Sequence, residues 1–159
     1  MSTPQEGKKP PAIALPDQNG DTVKLSSLKG RRVLVYFYPK ADTPGCTTQA
    51  CGLRDIAGQI GDTKVIGISP DKSPRLKKFD DKYGLGFTLL SDEEHAVAEA
   101  YGVWVEKKNY GKTYMGVQRS AFLIGEDGKV EKAWPMISPK DTPTNLLAAL
   151  GPNGIIARI

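Results

Sequence analysis

Apolar runs and helical spacings alternate along this chain of 159 residues. Residues 33–38 (VLVYFY) are continuously apolar, β-branched and aromatic, which is the pattern of a strand buried on both faces. From Cys46 onward, apolar residues recur at spacings of three and four, which predicts an amphipathic helix that Gly61 ends. Residues 64–69 (KVIGIS) predict a second strand, so the pattern indicates a βαβ unit with parallel strands.

Strand and helix patterns continue to alternate on both sides of this unit. The further predicted elements are a hairpin of residues 12–15 and 23–25 around Asn19-Gly20, a helix from Ser73 to Gly84, a short strand near residues 87–90, a helix opened by a capping box at residues 91–94 and ended by Gly102, a hairpin of residues 120–124 and 129–134, and a last helix opened by Thr142-Pro143. Alternating strands and helices favour parallel pairing, and the second hairpin adds antiparallel strands to the same sheet. The sequence therefore predicts an α/β fold, a three-layer α/β/α sandwich with a mixed central sheet.

No domain boundary divides the chain after its first residues. Residues 1–10 are rich in Lys, Pro, Gly and Gln and are expected to form a flexible lead-in. From residue 11 to residue 159 there is no composition shift, low-complexity stretch or internal repeat, and the length suits one domain. We therefore predict a single domain over residues 11–159.

Composition and charge exclude several classes of protein. Of the residues, 39% are hydrophobic and 25% are charged, and no stretch approaches the roughly 18 consecutive apolar residues that a membrane span requires. No apolar block precedes a cleavage site in the first 16 residues, so we expect no signal peptide and a cytoplasmic location. The net charge of +4 comes from basic residues scattered among acidic ones, which indicates a solvated surface rather than a nucleic-acid interface.

The chain has two cysteines, Cys46 and Cys51, and one histidine, His95. A structural zinc site needs four nitrogen or sulfur ligands, so this set does not predict a metal centre. A disulfide-rich secreted scaffold is excluded as well, because such scaffolds carry many more cysteines. The two cysteines are therefore either redox-active or without a chemical role.

Cys46 lies where a loop leaves the end of a central strand and a helix is expected to begin. Free backbone N–H groups and the helix dipole at such a position favour a thiolate over a thiol, which makes a cysteine nucleophilic at neutral pH. The alternative is a small buried hydrophobic residue, as most free cysteines are. Because Pro44 and Gly45 precede Cys46 instead of apolar residues, the sequence favours the reactive interpretation.

Five positions separate Cys46 from Cys51. In an intact helix this spacing puts the two Cα atoms roughly 8.7 Å apart, whereas a disulfide tolerates at most about 7 Å. A bond between them would require the first turns of the helix to unwind, which Gly52 would ease. General disulfide oxidoreductases typically use Cys-x-x-Cys, so the spacing weighs against that class, although it and a non-catalytic redox sensor or binding protein remain alternatives.

The residues around Cys46 carry a family resemblance. Pro39, Thr43 and Cys46 form the pattern Pro-x-x-x-Thr-x-x-Cys, which is similar to the active-site motif of the peroxiredoxins. The longer string of residues 36–47, followed by Cys51, resembles the peroxiredoxin Q subfamily, also called bacterioferritin comigratory protein. Within a resemblance that runs from about residue 11 to residue 150, further matches are residues 67–71, 89–92, 110–113 and 119–120.

This resemblance implies a thioredoxin-like fold and a thiol peroxidase that needs no metal or flavin cofactor. It implies these roles: Cys46 as the peroxidatic cysteine, Cys51 as the resolving cysteine, Arg119 as the residue that fixes the thiolate, Pro39 as the shield of the sulfur, Thr43 as a hydrogen-bonding partner of peroxide and thiolate, and Gly45 as part of the backbone that holds a peroxide oxygen. The expected partners are hydrogen peroxide or an organic hydroperoxide and a dithiol reductant such as thioredoxin. The subfamily resemblance also implies a monomer.

Two places depart from the subfamily pattern. Val105 stands where glycine is expected after Trp104, and Val117-Gln118 stand where aliphatic residues are usual before Arg119. Neither departure lies in the string around Cys46, but the second borders Arg119.

Several conspicuous residues have plainer explanations. We expect His95 on the polar side of the third predicted helix, as a surface residue rather than a catalytic base. Asp42 is expected to be a turn residue, and its charge would disfavour a thiolate if it lay close to the sulfur. The aromatic side chains of Trp104, Tyr110 and Tyr114 are expected to pack around a long loop.

Overall fold

The computed structural model describes residues 3–156, and the elements within them begin and end as follows. In chain order they are β1 (Ala14–Pro16), β2 (Thr22–Lys24), β3 (Val33–Phe37), α1 (Pro44–Asp55), β4 (Lys64–Ser69), α2 (Ser73–Tyr83), β5 (Thr88–Ser91), α3 (Ala96–Ala100), β6 (Trp104–Asn109), β7 (Lys112–Val117), β8 (Ser120–Ile124), β9 (Val130–Trp134) and α4 (Asp141–Ile156). Short 3-10 turns lie at Leu25–Leu28 and Ala57–Gln59.

The longest apolar run of the sequence forms β3, the central strand of a five-stranded sheet. β3 pairs in parallel with β4, and β4 pairs in parallel with β5, because α1 and α2 return the chain to the same end of the sheet. On its other side β3 pairs antiparallel with β8, and β8 pairs antiparallel with β9. The strand order β5-β4-β3-β8-β9 confirms the predicted mixed sheet.

The two faces of β3 belong to two separate hydrophobic cores, since side chains alternate across a strand. Leu34 and Tyr36 point into the core that is formed with α1, α2 and α4. Val33, Val35 and Phe37 point into the core that is formed with α3 and with the segments around β1 and β2. Helices therefore cover both faces of the sheet, which confirms the three-layer α/β/α architecture.

The helix that carries both cysteines begins slightly earlier and ends earlier than its pattern indicates. α1 starts at Pro44, two residues before Cys46, and ends at Asp55. A 3-10 turn at Ala57–Gln59 fills most of the interval before Gly61. Cys46 is therefore the third residue of α1 and lies in its first turn, as expected.

Several elements occupy the predicted positions. The strands predicted at residues 64–69 and 120–124 are β4 and β8 with the same bounds. α2 ends as predicted at Gly84, whose φ of 57° is the left-handed conformation that favours glycine. The last helix begins at Asp141, directly before the predicted start at residues 142–143, and Gly151 interrupts it with a φ of 69°.

The capping box predicted at residues 91–94 is wrong. Ser91 is the last residue of β5, and its hydroxyl donates to the carbonyl oxygen of Asp71 at 2.6 Å, so it is not free to cap a helix. The buried carboxylate of Asp92 instead accepts hydrogen bonds from the amides of residues 97–98, at 3.2 and 2.9 Å. α3 is consequently shorter than the predicted helix.

We expected His95 on the polar side of a helix, but the residue lies outside the helix. It directly precedes α3 in the left-handed region, with a φ of 48°. Its half-buried ring stacks on the indole of Trp104, with 3.9 Å between the ring centroids and 1° between the planes. The residue thus packs two elements together.

Residues 104–117 form the antiparallel hairpin β6–β7, where the sequence indicated a long loop. Its turn is Tyr110-Gly111, and both residues have a positive φ, 52° and 76°, as a two-residue type I′ turn requires. Tyr110 and Tyr114 are 97% and 50% exposed and do not pack as expected, whereas Trp104 does. Most residues of both strands are at least partly exposed, so the alternation that identifies strands is weak here.

The start of the described chain lies against the edge of the sheet. The amide of Gly7 donates to the carbonyl oxygen of Val130 at 2.8 Å, and the amide of Val130 donates to that of Lys8 at 2.9 Å. This part of the expected flexible lead-in is therefore attached to β9, while residues 1–2 and 157–159 lie outside the described residues. Between residues 3 and 156, no helix combines the length and the apolarity that crossing a membrane requires.

Gly67 in β4 occupies a place where the core leaves no room for a side chain. A Cβ atom there would lie 2.8 Å from Cζ and Oη of Tyr36, whose buried ring stacks on Tyr38. We predict that Gly67→Ala lowers the free energy of unfolding by about 1–3 kcal/mol, because overpacking displaces the ring. Chemical denaturation measures the loss. Gly58→Ala is the matched control, since no atom lies within 4 Å of its added Cβ, and equal losses in both variants would contradict the explanation.

Candidate active site

Three segments of the chain meet at the carboxyl end of the central strand β3. The loop of residues 38–43 follows β3, α1 begins directly after it, and β8 begins beside it at Ser120. β8 runs antiparallel to β3 with Ser120 opposite Phe37, so Arg119 lies next to the end of β3. Cys46 and Arg119, which are 73 positions apart in the sequence, therefore come into contact.

The first turn of α1 leaves backbone N–H groups available. Thr43 is the N-cap residue, and its carbonyl oxygen accepts the first helical hydrogen bond from the amide of Thr47 at 2.8 Å. The amides of Gly45 and Cys46 precede this bond and have no acceptor within the helix. The hydroxyl of Thr43 donates to the carbonyl oxygen of Lys40 at 2.8 Å and caps neither amide. The helix start therefore offers two donors and the positive end of its dipole to a small acceptor.

Cys46 and Arg119 form the centre of the candidate site. Cys46 is only 2% exposed, and Nη2 of Arg119 donates to its Sγ atom at 3.4 Å. A Cβ atom on Gly45 would lie 3.2 Å from the same Nη2 atom, so glycine at this position provides room for the guanidinium group. Because arginine stays protonated, it keeps a fixed positive charge beside the sulfur.

A buried amide side chain, Gln49, extends the contact into the interior, and it was not among the residues predicted from the sequence. Its Oε1 accepts from Nη1 of Arg119 at 2.7 Å, and its Nε2 donates to Oγ1 of Thr142 at 2.9 Å. The Thr142 hydroxyl in turn donates to the carbonyl oxygen of Ser138 at 2.9 Å. A signal was present in the sequence, because Gln49 stands three positions after Cys46 on the face that α1 buries, where an amide requires partners.

The loop before α1 is held in place by Asp71, which follows β4. One carboxylate oxygen of Asp71 accepts from the amide of Ala41 at 2.7 Å and from the hydroxyl of Ser69 at 2.8 Å. The other pairs with Nε of Arg75 at 3.1 Å, and Nη2 of Arg75 donates to the carbonyl oxygen of Ala41 at 2.9 Å. Both backbone groups of the buried Ala41 are thus bound, and the entry to α1 is fixed.

The side chain of Asp42 is bound by two residues of α2. Its φ of 60° belongs to the left-handed region, and its carboxylate accepts from the hydroxyl of Tyr83 at 2.9 Å and pairs with Nζ of Lys82 at 3.1 Å. Two hydrogen bonds hold the pKa of Asp42 below its usual value: the one from Lys82 has the larger effect, and the one from Tyr83 the smaller. Asp42 is therefore a turn residue, as predicted, and its charge is matched on the α2 side.

The hairpin β6–β7 brings a second cation, Lys107, towards the site. Burial lowers the pKa of Lys107, and the positive charge of Arg119 lowers it further, while the negative form of Cys46 acts in the opposite direction. Lys107 was not among the residues predicted from the sequence, because the strand that carries it was predicted to be a loop.

Cys51 lies on the same helix as Cys46, and both are free thiols. α1 is continuous from Pro44 to Asp55, so the Cα atoms of the two cysteines are roughly 8.7 Å apart, beyond the reach of a disulfide. The half-buried Pro39 lies at the end of β3, in the loop that leads to α1.

The structure therefore brings some predicted site residues together and keeps others apart. Arg119 contacts the sulfur of Cys46 and lies close to Gly45. Cys51 lies more than one helical turn further along α1. The hydroxyl of Thr43 is turned to the loop backbone. Among residues 3–156, no group of three or more His, Cys, Asp and Glu side chains could hold a metal ion.

Comparison with known proteins gives a consistent family. The chain matches the AhpC/TSA family over residues 7–133. It is 53% identical over 133 residues to peroxiredoxin Bcp of Escherichia coli, covering 82% of this chain and 85% of that protein. It is 47% identical over 146 residues to peroxiredoxin Bcp of Bacillus subtilis, covering 91% and 93%. The solved bacterioferritin comigratory protein of Xanthomonas campestris superposes with a TM-score of 0.84 at 32% identity, covering 92% of this chain and 97% of that one.

The fold and the site define a thiol peroxidase with a thioredoxin-like architecture. This chain belongs to the AhpC/TSA family, and its resemblance to peroxiredoxin Q, or bacterioferritin comigratory protein, is confirmed.

The charge of Arg119 is testable through the reactivity of the sulfur. We predict that Arg119→Ala slows the oxidation of Cys46 by hydrogen peroxide about 100-fold, because the variant lacks the charged donor that lies 3.4 Å from Sγ. Rapid-quench mass spectrometry in a Cys51→Ser background measures the rate constant. Arg31→Ala, at an exposed position two residues before the start of β3, is the control. Equal rate constants in the two variants would show that the Arg119 charge is unimportant.

Proposed function

We propose that Cys46 is the peroxidatic cysteine of this enzyme and that Cys51 resolves its oxidised form. The observation that carries the proposal is the contact of 3.4 Å between Arg119 and the Cys46 sulfur in the first turn of α1, with Cys51 on the same helix. In the first step the Cys46 thiolate attacks one oxygen of a hydroperoxide and breaks the O–O bond. Cys46 becomes a sulfenic acid, and the other oxygen leaves as water or an alcohol after it takes up a proton.

The donors around the sulfur match the charge that develops in this step. Negative charge builds up on the departing oxygen, and the free amides of Gly45 and Cys46 together with the guanidinium group of Arg119 are donors that need no rearrangement. While the Thr43 hydroxyl donates to the carbonyl oxygen of Lys40, its oxygen can accept a hydrogen bond from a bound hydroperoxide. We assign Pro39, half-buried at the end of β3, the role of limiting access of water to the sulfur.

The second step requires α1 to open. The Cys51 thiol attacks the sulfenic sulfur, the S–O bond breaks, a disulfide forms and water leaves. Because an intact helix keeps the two Cα atoms roughly 8.7 Å apart, the turns between Cys46 and Cys51 must unwind before this bond can form. Gly52 lowers the helix propensity next to Cys51 and eases the opening.

We further propose that a dithiol protein such as thioredoxin returns the enzyme to its reduced form by thiol–disulfide exchange. A disulfide in an opened, exposed segment is accessible to such a partner. For the oxidant we propose hydrogen peroxide and organic hydroperoxides, because the solved relative from Xanthomonas campestris is described by its alkyl peroxide reduction activity.

Intact-mass spectrometry tests the roles of the two cysteines. With one equivalent of hydrogen peroxide, we expect the wild-type protein to lose two hydrogens, as formation of one disulfide requires. Cys46→Ser should abolish this change, because it removes the attacking sulfur. Cys51→Ser should still consume one peroxide and then accumulate sulfenic or sulfinic acid at Cys46, because nothing resolves it.

The same variants separate the proposal from its rivals. Normal turnover of Cys51→Ser with thioredoxin would disprove the resolving role. A wild-type protein that reduces insulin disulfides rapidly but reacts slowly with peroxide would instead be a general oxidoreductase.

A further inference from the structure

One side-chain hydrogen bond connects α1, the helix of the two cysteines, to the start of α4. Nε2 of Gln49 donates to Oγ1 of Thr142 at 2.9 Å across 93 positions of sequence. It continues a chain of donors that starts at Arg119, which donates to the Cys46 sulfur and to Gln49, and ends where Thr142 donates to the carbonyl oxygen of Ser138. The sulfur is thus connected, through four hydrogen bonds, to the turn before α4.

This connection lies in a dry and closely packed contact. Gln49 is 0% exposed and Thr142 is 1% exposed, so water cannot replace either partner while the helices stay together. Beside it, Gly52 faces Pro143 so closely that a Cβ atom on the glycine would lie 3.0 Å from Cγ of the proline. Breaking a hydrogen bond here leaves a buried polar group without a partner, which is costly.

Gln49 lies between the two cysteines in the sequence. A helix that unwinds far enough to bring Cys46 to Cys51 cannot keep Gln49 in its place, because the whole intervening segment changes conformation. The bond to Thr142 must therefore break every time α1 opens and form again every time it closes.

We propose that Thr142 acts as a latch on α1, so that its hydroxyl sets how often the helix opens and, through this, how the oxidised enzyme is partitioned. This inference rests on the function proposed above. When α1 is open, the sulfenic acid of Cys46 reacts with the Cys51 thiol to give a disulfide and water. When α1 is closed, the sulfenic acid reacts with a second hydrogen peroxide, which transfers one oxygen to give sulfinic acid and water. Thr142 is thus a positioning residue, since it touches neither the sulfur nor the oxidant.

The latch is tested by Thr142→Val, which has nearly the same shape but no hydroxyl. Because Gln49 then lacks its acceptor, the closed form of α1 is less stable. The equilibrium constant for opening of α1 should rise about tenfold, a change that corresponds to about 1.4 kcal/mol. The peroxide concentration that converts half of Cys46 to sulfinic acid during turnover, read by mass spectrometry, should then rise about tenfold. The rate constant of the first oxidation of Cys46 should change by less than about twofold, because the contact between Arg119 and the sulfur is kept.

Two matched variants control this experiment. Thr144→Val makes the same replacement two positions along α4, at an exposed residue, and should leave the half-conversion concentration within about twofold of wild type. Thr142→Ser keeps the hydroxyl and should also behave as wild type. If Thr142→Val fails to fold, Thr142→Ala removes the hydroxyl without a branched side chain and answers the same question.

A second readout does not depend on peroxide or on a disulfide. In a Cys51→Ser background, Cys46, a residue that is only 2% exposed, can react with a bulky aromatic disulfide reagent only when α1 opens. Adding Thr142→Val should raise the labelling rate about tenfold, and adding Thr144→Val should not. Global stability, measured in parallel by denaturation, separates this effect from general loosening of the fold.

The outcomes separate the latch from the function on which it rests. A wild-type protein that forms no Cys46–Cys51 disulfide refutes the resolving role, whereas the labelling experiment still decides whether Thr142 controls opening. Equal labelling rates in the Thr142→Val and Thr144→Val variants overturn the latch, even if the peroxidase cycle is correct. An increase in labelling that Thr142→Ser reproduces overturns it as well, because the hydroxyl would then be irrelevant.

Discussion

The guanidinium group of Arg119 donates in two directions, to the Cys46 sulfur at 3.4 Å and to the amide oxygen of Gln49 at 2.7 Å. A planar group with several fixed donors can make both contacts at once, which a lysine ammonium on a flexible chain does less well. The second bond holds the guanidinium group beside the sulfur, so the geometry there depends on Gln49. The other end of the Gln49 amide continues the network to Thr142 at the start of α4.

Under the proposed function, the two cysteines make opposite demands on α1. The proposed first step needs α1 intact, since its first turn provides the free amides and places Cys46 beside Arg119. The proposed resolution by Cys51 needs the same helix opened, since no disulfide spans the distance between Cys46 and Cys51 in a regular helix. The contacts of Gln49 and Gly52 with α4 stabilise the closed form, while glycine within α1 weakens it. The relative stability of the two forms, rather than either form alone, controls the proposed cycle.

The supporting loop shows how neighbouring strands contribute to one site. Asp71, after β4, binds the amide of Ala41, and Arg75 binds its carbonyl oxygen. This holds the chain between β3 and α1 without any contact to the sulfur. Asp42, although close in sequence to Cys46, binds Lys82 and Tyr83, so its charge is matched by α2. The hairpin β6–β7 adds Lys107 to the charges around the sulfur, from strands that the sequence pattern did not predict.

Elements with local signals could be predicted from the amino-acid sequence. Apolar runs, spacings of three and four, and turn residues depend on near neighbours, so they predicted β3, β4, α2, the β8–β9 hairpin and the location of Cys46 in the first turn of a helix. The resemblance to peroxiredoxins pointed to Arg119, but its contact with Cys46 depends on the antiparallel register of β8 against β3. Three features depend on tertiary structure. Asp92 rather than Ser91 caps α3, residues 104–117 pair as a hairpin, and Gln49 binds Thr142. Each of these is a choice between polar partners, and a polar group accepts whichever partner the packing of distant segments brings within about 3 Å.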